Sequence, residues 1–315
     1  MSDRLLVIDG HNVVLRAYFG LIKQGLRTRE GVGTWGLYGA INSVSSYVRK
    51  YEPTHVLIAL DSGRSSKRVA LYPEYKANRV SNQTPDDNYQ ESRQQVNLFQ
   101  EFCELAGFTL VREKNVEADD IIAKVVTSNR ESFEQIVIVS SDHDIRQLIS
   151  ENTIVVKPSL GQSRDVEEQV FDRDYIINEY GREPKLLPEI WALTGDRGDN
   201  VPGVPGVGEK TALKLLNTHN DLWQLLESDE KKIADHKDTI RLAYQLVQLD
   251  GQDEISGFPQ LDQLKFNPVV PYDEKSLELL HFFDKYELNS IKTRWSNGFL
   301  WEEETPFGRK LNEQN

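Results

Sequence analysis

Short, nearly continuous apolar runs recur along the first half of the chain, at residues 5–8, 55–60 and 135–139. Each is too short for an independent helix and rich in Val, Ile and Leu, which predicts strands buried on both faces. Each run also stops at an acid: Asp9 before Gly10, Asp61 before Ser62-Gly63, and Asp142 after Ser140-Ser141. Between the runs, apolar positions return with helical spacing over residues 36–51, 88–106 and 118–128, and residues 152–156 read as one more strand. Strands alternating with helices predict an α/β fold with a mostly parallel central sheet flanked by helices. From about Gly181 the strand pattern fades and helical stretches dominate. The expected organisation is therefore an α/β catalytic domain over 1–180, a helical domain over 181–301, and a mobile polar tail over 302–315.

One stretch inside the first half breaks the pattern. Between Gly63 and Asp87, Arg64, Lys67, Arg68, Lys76 and Arg79 oppose only Glu74 before Asp86, and Pro73 and Pro85 punctuate the run. This is a basic insertion, spanning about 63–95, in an otherwise acidic chain. Over 315 residues, 37 Lys and Arg face 50 Asp and Glu, a formal net charge of −13. Taken alone, that charge argues against a nucleic-acid partner, whose usual sign is a basic footprint. The single cysteine, Cys103, excludes an internal disulfide framework and fits a reducing, cytoplasmic setting. The N-terminal apolar run is too short for a signal peptide or a membrane span.

The acids change the picture. Ligands of open α/β sheets bind beyond the carboxyl ends of the strands, so Asp9, Asp61 and Asp142 are expected to converge on one crevice. Glu117, Asp119 and Asp120 open a helix, Asp144 follows Asp142 by two, and Asp196 and Asp199 lie three apart. Any one of these acids is ordinary at a helix start or strand end, where the macrodipole alone favours it. As a set they would repel and raise one another's pKa, and divalent cations relieve that repulsion. Hard oxygen ligands select Mg²⁺ or Mn²⁺. Two such ions about 3.5–4 Å apart are a standard arrangement for phosphodiester hydrolysis, one activating water and one stabilising the leaving oxygen.

The glycine-rich segment 201–212 fails as a P-loop, because Glu209 separates Gly208 from Lys210-Thr211. It fits a helix, a glycine turn and a second helix beginning near Glu209. Gly203, Gly206 and Gly208 allow close backbone approach there, and amides at the second helix's start, with Lys210 and Thr211, suit a phosphate backbone.

Together these residues resemble the 5′-nuclease family: the 5′→3′ exonuclease domain of bacterial DNA polymerase I and stand-alone phage and bacterial flap endonucleases. The matching stretches are Val7-Ile-Asp9-Gly10 with Arg16-Ala-Tyr18, the run from Tyr72 to Arg79, Glu117-Ala-Asp-Asp120, Ser141-Asp-His-Asp144, and Thr194 through Ala212. They run in family order over about residues 5–216 and include two individually specific elements. The resemblance implies a PIN-like core and a structure-selective nuclease acting on 5′ flaps, 5′ ends or junctions of DNA, with RNA–DNA hybrids and RNA primers as further candidates. It implies that all nine acids named above hold metal ions. It also implies that residues 63–95 form an arch or clamp over the 5′ strand, with Lys76 at the scissile phosphate and Arg79 assisting. A helix–three-turn–helix at about 188–218 would grip the duplex and hold K⁺ on its loop carbonyls. Arg16 and Arg68 are expected to contact DNA, and Tyr75 to stack on the terminal base, against the alternative of packing within the arch. Departures are His143, where relatives commonly carry Lys, and Leu60 before Asp61, where relatives carry Phe. No polymerase region is expected, and the chain is expected to act as a monomer.

Two rivals remain at this level. One is a catalytically silent protein that binds DNA structures, disfavoured by the complete acid set. The other is a PIN-type ribonuclease, disfavoured by the Gly-Val-Gly-Glu-Lys-Thr segment.

Overall fold

The apolar runs become neighbouring strands of one sheet in the computed structural model, which describes residues 3–81, 87–158 and 168–302. In chain order, β1 (Arg4–Asp9) leads directly into α1 (Gly10–Leu21), followed by α2 (Trp35–Tyr51) and β2 (His55–Ala59). The basic stretch forms two short helices, α3 (Ser66–Leu71) and α4 (Ala77–Ser81), before the long α5 (Asp87–Ala106) and β3 (Thr109–Val111). Then come α6 (Ala118–Asn129), β4 (Gln135–Val139), β5 (Thr153–Val156), β6 (Val170–Phe171) and α7 (Arg173–Tyr180). The remaining chain is helical: α8 (Leu187–Thr194), α9 (Glu209–His219), α10 (Leu222–Glu227), α11 (Lys237–Val247), α12 (Ser276–Lys285) and α13 (Asn289–Ser296). Residues 82–86 of the expected insertion and 303–315 of the expected tail lie outside the described residues.

The sheet order is β3-β2-β1-β4-β5-β6, with every pairing parallel except β5 with β6. Register explains why the strand ends matter. Asp9 lies opposite Ala59 on β2, and Ile8 lies opposite Val139 on β4, so β1, β2 and β4 finish at the same level. The loops carrying Asp61 and Asp142 therefore leave the sheet beside Asp9.

Alternation along the strands divides the interior into two cores. Leu5, Val7, Leu57, Ile136 and Ile138 face one side, where α6, α8, α9, α10 and α11 pack. Leu6, Ile8, Val56, Ile58, Val137 and Val139 face the other, against α1, α2, α5, α12 and α13. Burial on both faces is why the strands read as unbroken apolar runs. The helical half of the sequence thus continues both layers of the sheet. Phe102 of α5 meets Phe282 and Phe283 of α12, at ring-centroid distances of 6.1 and 6.3 Å.

Helix α1 has no separate start signal because Asp9 supplies it. The Asp9 carboxylate accepts a hydrogen bond from the Asn12 amide at 3.0 Å, capping the helix that follows its own strand. Among the described residues no helix is long and apolar enough to cross a membrane.

Candidate active site

Four carboxylates, Asp9, Asp61, Asp119 and Asp142, line one open cleft of about 530 Å³ at the carboxyl ends of the central strands. Each is placed by a local device. Asp9 caps α1 with one oxygen and accepts from the Ser140 hydroxyl, 2.8 Å away, with the other. Asp61 accepts from the Ala118 amide at 2.8 Å, capping α6 from a distant loop. The Ser140 hydroxyl also accepts from the Asp142 amide at 3.1 Å. Next to it, Ser141 donates through its amide and hydroxyl to the Asn12 side chain, at 3.2 and 2.9 Å. The serine pair after β4 thus ties its loop to the end of β1 and the start of α1.

A second acidic group adjoins the first. Asp144, Asp196 and Asp199 present oxygens that all lie within 4.8 Å of one another. Asp196 accepts from the Gly198 and Asp199 amides at 2.6 and 3.2 Å, folding the loop so that Asp199 returns to the site. His143 stands between the groups, with its Nδ1 3.7 Å from Asp142 and its Nε2 3.1 Å from Asp144.

The electrostatics of both groups follow from burial and mutual repulsion. Burial, then the Asp61 charge, pushes the Asp9 pKa up to about 7, with Asp142 adding to it. Burial, with the charges of Asp142, Asp199 and Asp196 adding to it, pushes Asp144 up to about 7 despite His143 alongside. Asp119 is held well above the usual carboxylate range by burial and by the Asp142 charge. Carboxylates so placed are fully ionised at neutral pH only when a cation offsets them, and an all-oxygen donor set suits a hard divalent ion. The residues fit such an ion on this ground.

The other predicted acids already have protein cations. Glu117 is buried and accepts from Lys76 Nζ at 2.8 Å, the Tyr75 hydroxyl at 3.0 Å and Arg68 at 3.2 Å. Burial would raise its pKa, but Lys76 and Arg68 outweigh this and hold it below the usual range. Asp199 accepts from Arg79, and Lys76 Nζ lies 3.4 Å from it. Asp120 departs from the expected ligand set. Its carboxylate is 2% exposed and bound to Arg68 at 2.7 Å.

Two expected DNA contacts are corrected by the same network. Arg68 is buried, spends Nη1 on Glu117 and Asp120, and donates from Nε to the Leu246 carbonyl at 2.8 Å. It is 5% exposed, and these bonds hold it in the interior. Tyr75 is 3% exposed, part of the core on the α6 side, and its hydroxyl is committed to Glu117. Its ring packs under the basic segment. The physical reason is shared: two buried carboxylates at the start of α6 need partners, and the nearest basic stretch supplies them.

Lys76, Arg79 and Arg16 line the cleft as expected. Lys76 adopts φ +54°, left-handed backbone that non-glycine residues rarely take, and its amide donates to the Asp199 carbonyl at 2.9 Å. That turn is what aims its Nζ at Glu117 and Asp199. Burial works against its charge, but Glu117 more than compensates and holds it protonated. Arg16 makes no ion pair among the described residues, and its buried Nε has no hydrogen-bond partner there.

The glycine-rich segment forms the expected turn between α8 and α9. A Cβ on Gly203 would sit 2.3 Å from the Thr194 carbonyl group, so only glycine lets the loop close back onto the end of α8. Gly208 precedes α9 as its cap and brings no side-chain acceptor, and Lys210 is exposed.

His11, Asn12 and Phe19 also line the cleft and were not singled out from sequence. They sit on α1, whose apolar pattern runs on from β1. The one available signal was the polar pair His11-Asn12 directly after Asp9-Gly10.

Comparison with known proteins gives a consistent answer. A family model described as the 5′-3′ exonuclease N-terminal resolvase-like domain matches residues 4–181, and the 5′-3′ exonuclease C-terminal SAM fold matches 182–270. A 5′-3′ exonuclease of Aquifex aeolicus is 32% identical over 249 residues, covering 78% of this chain and 81% of that protein. DNA polymerase I of Mycobacterium bovis is 32% identical over 292 residues, covering 92% of this chain but only 31% of the polymerase. The chain thus spans about a third of the polymerases it matches. Among solved structures, the T5 D15 protein co-crystallised with metal ions superposes with a TM-score of 0.67 at 16% identity, covering 89% of this chain and 99% of that one. The catalytic core of Rad2 in complex with DNA substrate gives 0.57 at 14% identity, covering 93% and 92%. These two share the fold. The chain belongs to the 5′-3′ exonuclease family of nucleases.

Proposed function

We propose that this chain hydrolyses phosphodiester bonds at the 5′ ends and 5′ flaps of branched DNA, using Mg²⁺ or Mn²⁺. The observation that carries the reading is the convergence of Asp9, Asp61, Asp119 and Asp142 on one cleft that also holds Lys76, Arg79 and Arg16. Those four acids, with Asp144, Asp196 and Asp199 beside them, are the residues that would hold divalent ions. Such ions, when bound, activate water for in-line attack and neutralise charge on the leaving oxygen.

The chain's own residues do the rest. Lys76 and Arg79 place positive charge over the carboxylates and draw the scissile phosphate down, while Arg16 approaches from α1 with an uncommitted guanidinium. Glu117 holds the Lys76 ammonium in reach of the cleft. The open start of α9 and Lys210 grip the duplex backbone without reading sequence, and the turn carbonyls between α8 and α9 offer a K⁺ site. A T5 flap endonuclease crystallised with DNA and metal ions shares this fold, which supports the reading.

The test uses flap duplexes labelled at the 5′ or the 3′ end, incubated with Mg²⁺ or with EDTA. Mg²⁺-dependent release of an intact flap, together with short 5′ products, supports it. Absence of cleavage with Mg²⁺ or Mn²⁺ overturns it.

A further inference from the structure

Directly after the acid pair Asp142 and Asp144, a 3₁₀ turn over Asp144–Leu148 enters the core on the α6 side. Ile145 and Leu148 are buried there, and so is the polar Gln147, at 7% exposure. A buried carboxamide costs free energy unless its donors and its acceptor are used. Those of Gln147 are used in full. Its Nε2 donates to the Asp144 carbonyl at 2.9 Å and to the Val247 carbonyl at 3.0 Å, and its Oε1 accepts from the Leu249 amide at 2.8 Å. A methionine would fill the same length with no polar group to desolvate, so packing alone does not call for an amide here.

On one side these bonds close the end of α11. The last carbonyls of a helix have no partner within it. Val247 receives Gln147, and Leu246 receives Arg68 Nε at 2.8 Å. The chain beyond is pinned to α6: Gly251, at φ +70°, comes so close that a Cβ would sit 2.1 Å from the Thr127 hydroxyl. Helix α11 also packs along α8, the helix that leads to Asp196 and Asp199. The end of α11 is therefore a fixed point shared by the elements that carry the site.

On the other side the bonds hold Asp144. Its amide donates to the Asp142 carboxylate at 3.0 Å, a group that divalent ions would also claim. Its carbonyl is held by Gln147, a neutral donor that does not compete for cations. The Asp144 carboxylate meets Asp196 and Asp199 within 4.8 Å, and those two arrive from the α8 side. Their separation is thus set along the path from Gln147 through α11 to α8.

We propose that Gln147 is a positioning residue for a divalent ion held by Asp144, Asp196 and Asp199, fixing the Asp144 backbone to the end of α11 so that the three carboxylates keep the spacing an ion needs. This rests on the metal reading above, in which Asp144 is a ligand. Gln147 acts through Asp144 and touches neither ion nor DNA.

The experiment titrates the full chain, without DNA, with Mn²⁺ and reads the free ion by electron paramagnetic resonance. Gln147→Met keeps the length and the apolar packing but makes none of the three hydrogen bonds, and it is expected to weaken at least one Mn²⁺ site about tenfold. The half-maximal Mg²⁺ concentration for flap cleavage should rise about as much, while turnover at saturating Mg²⁺ stays within about threefold of wild type. Ile240→Ala opens a cavity in α11 away from these bonds, so it should lower the unfolding midpoint and leave Mn²⁺ affinity within about twofold of wild type. Where Gln147→Met does not fold, Gln147→Asn keeps the amide one methylene short, and the same titration on it decides. Wild-type Mn²⁺ affinity in the Gln147 variant, whatever stability it loses, overturns the tether. An equal loss of affinity in Ile240→Ala overturns it too. A wild-type chain that binds no Mn²⁺ overturns the ligand set and the tether together, whereas one that binds Mn²⁺ and cleaves nothing overturns the nuclease reading alone.

Discussion

Two sets of carboxylates at the same end of the sheet are compensated in different ways. Glu117 and Asp120 are buried against Arg68, and Lys76 and Tyr75 add to it on Glu117, so that Glu117 is held low while burial still raises Asp120. Asp9, Asp61, Asp119 and Asp142 line an open cleft, where burial and then the Asp61 charge push Asp9 up to about 7. The first set uses the protein's own cations as structure, and the second leaves a deficit for a ligand to fill. A count of acids in the sequence treats both sets alike. On the proposed reading, the difference separates residues that would hold metal from residues that aim the groups around it.

The comparison breaks most directly at Asp142. Asp142→Asn should lower turnover at least about 10³-fold while the protein stays folded and still binds flap DNA, because it removes a ligand without removing a buried partner. Single-turnover cleavage beside a binding titration checks this, and near-normal turnover would remove Asp142 from the metal set. On the satisfied side, Arg68→Ala should cost about 3 kcal/mol of stability, because it strands Glu117 and Asp120 without their guanidinium. Denaturant unfolding measures it, and a change under about 1 kcal/mol would mean the pair is solvated. Lys76→Ala should slow the chemical step about 10²-fold with a far smaller change in DNA affinity. An equal loss in both would make Lys76 a simple anchor.

Asp9 of the cleft and Asp144 of the adjoining acidic group also predict a pH dependence. Asp9 and Asp144 titrate near 7 in the folded chain and near 4 once unfolded, so the folded state carries extra protons between those values. Stability in EDTA therefore falls as pH rises from about 4 through 7, and the thermal midpoint should drop by roughly 5 °C between pH 5 and 8. Mg²⁺ should remove most of that drop at pH 8. A midpoint that rises with pH in EDTA would contradict the repulsion argument.

Much of the fold and the site was legible in the sequence, for reasons visible in single elements. The runs at 5–8, 55–60 and 135–139 had to be buried parallel strands, and strand ends in such sheets collect ligands, so Asp9, Asp61 and Asp142 followed directly. Helix α1 was hidden because its apolar face continues the β1 pattern and its cap is the strand's last residue. Arg68 and Tyr75 go the other way, because a basic, aromatic segment looks the same in sequence whether it faces DNA or a buried acid. Only packing shows that Arg68 reaches the Leu246 carbonyl of α11.

The finest test of the comparison is Asp120→Asn. As a metal ligand Asp120 would behave like Asp142, and neutralising it would cost turnover about 10³-fold. The geometry gives it a different role, because its carboxylate holds Arg68 at 2.7 Å and Arg68 in turn reaches Glu117 at 3.2 Å. An asparagine keeps one oxygen for the guanidinium, and Glu117 still carries a full charge to hold Arg68 and Lys76. Turnover should then fall less than about tenfold, and the Mg²⁺ concentration giving half-maximal rate should stay within about twofold of wild type. A large rise in that Mg²⁺ requirement would return Asp120 to the metal set and merge the two sides of the comparison. An unchanged requirement with a small loss of stability would keep Asp120 where the structure has it, as the acid that fixes Arg68 under the cleft.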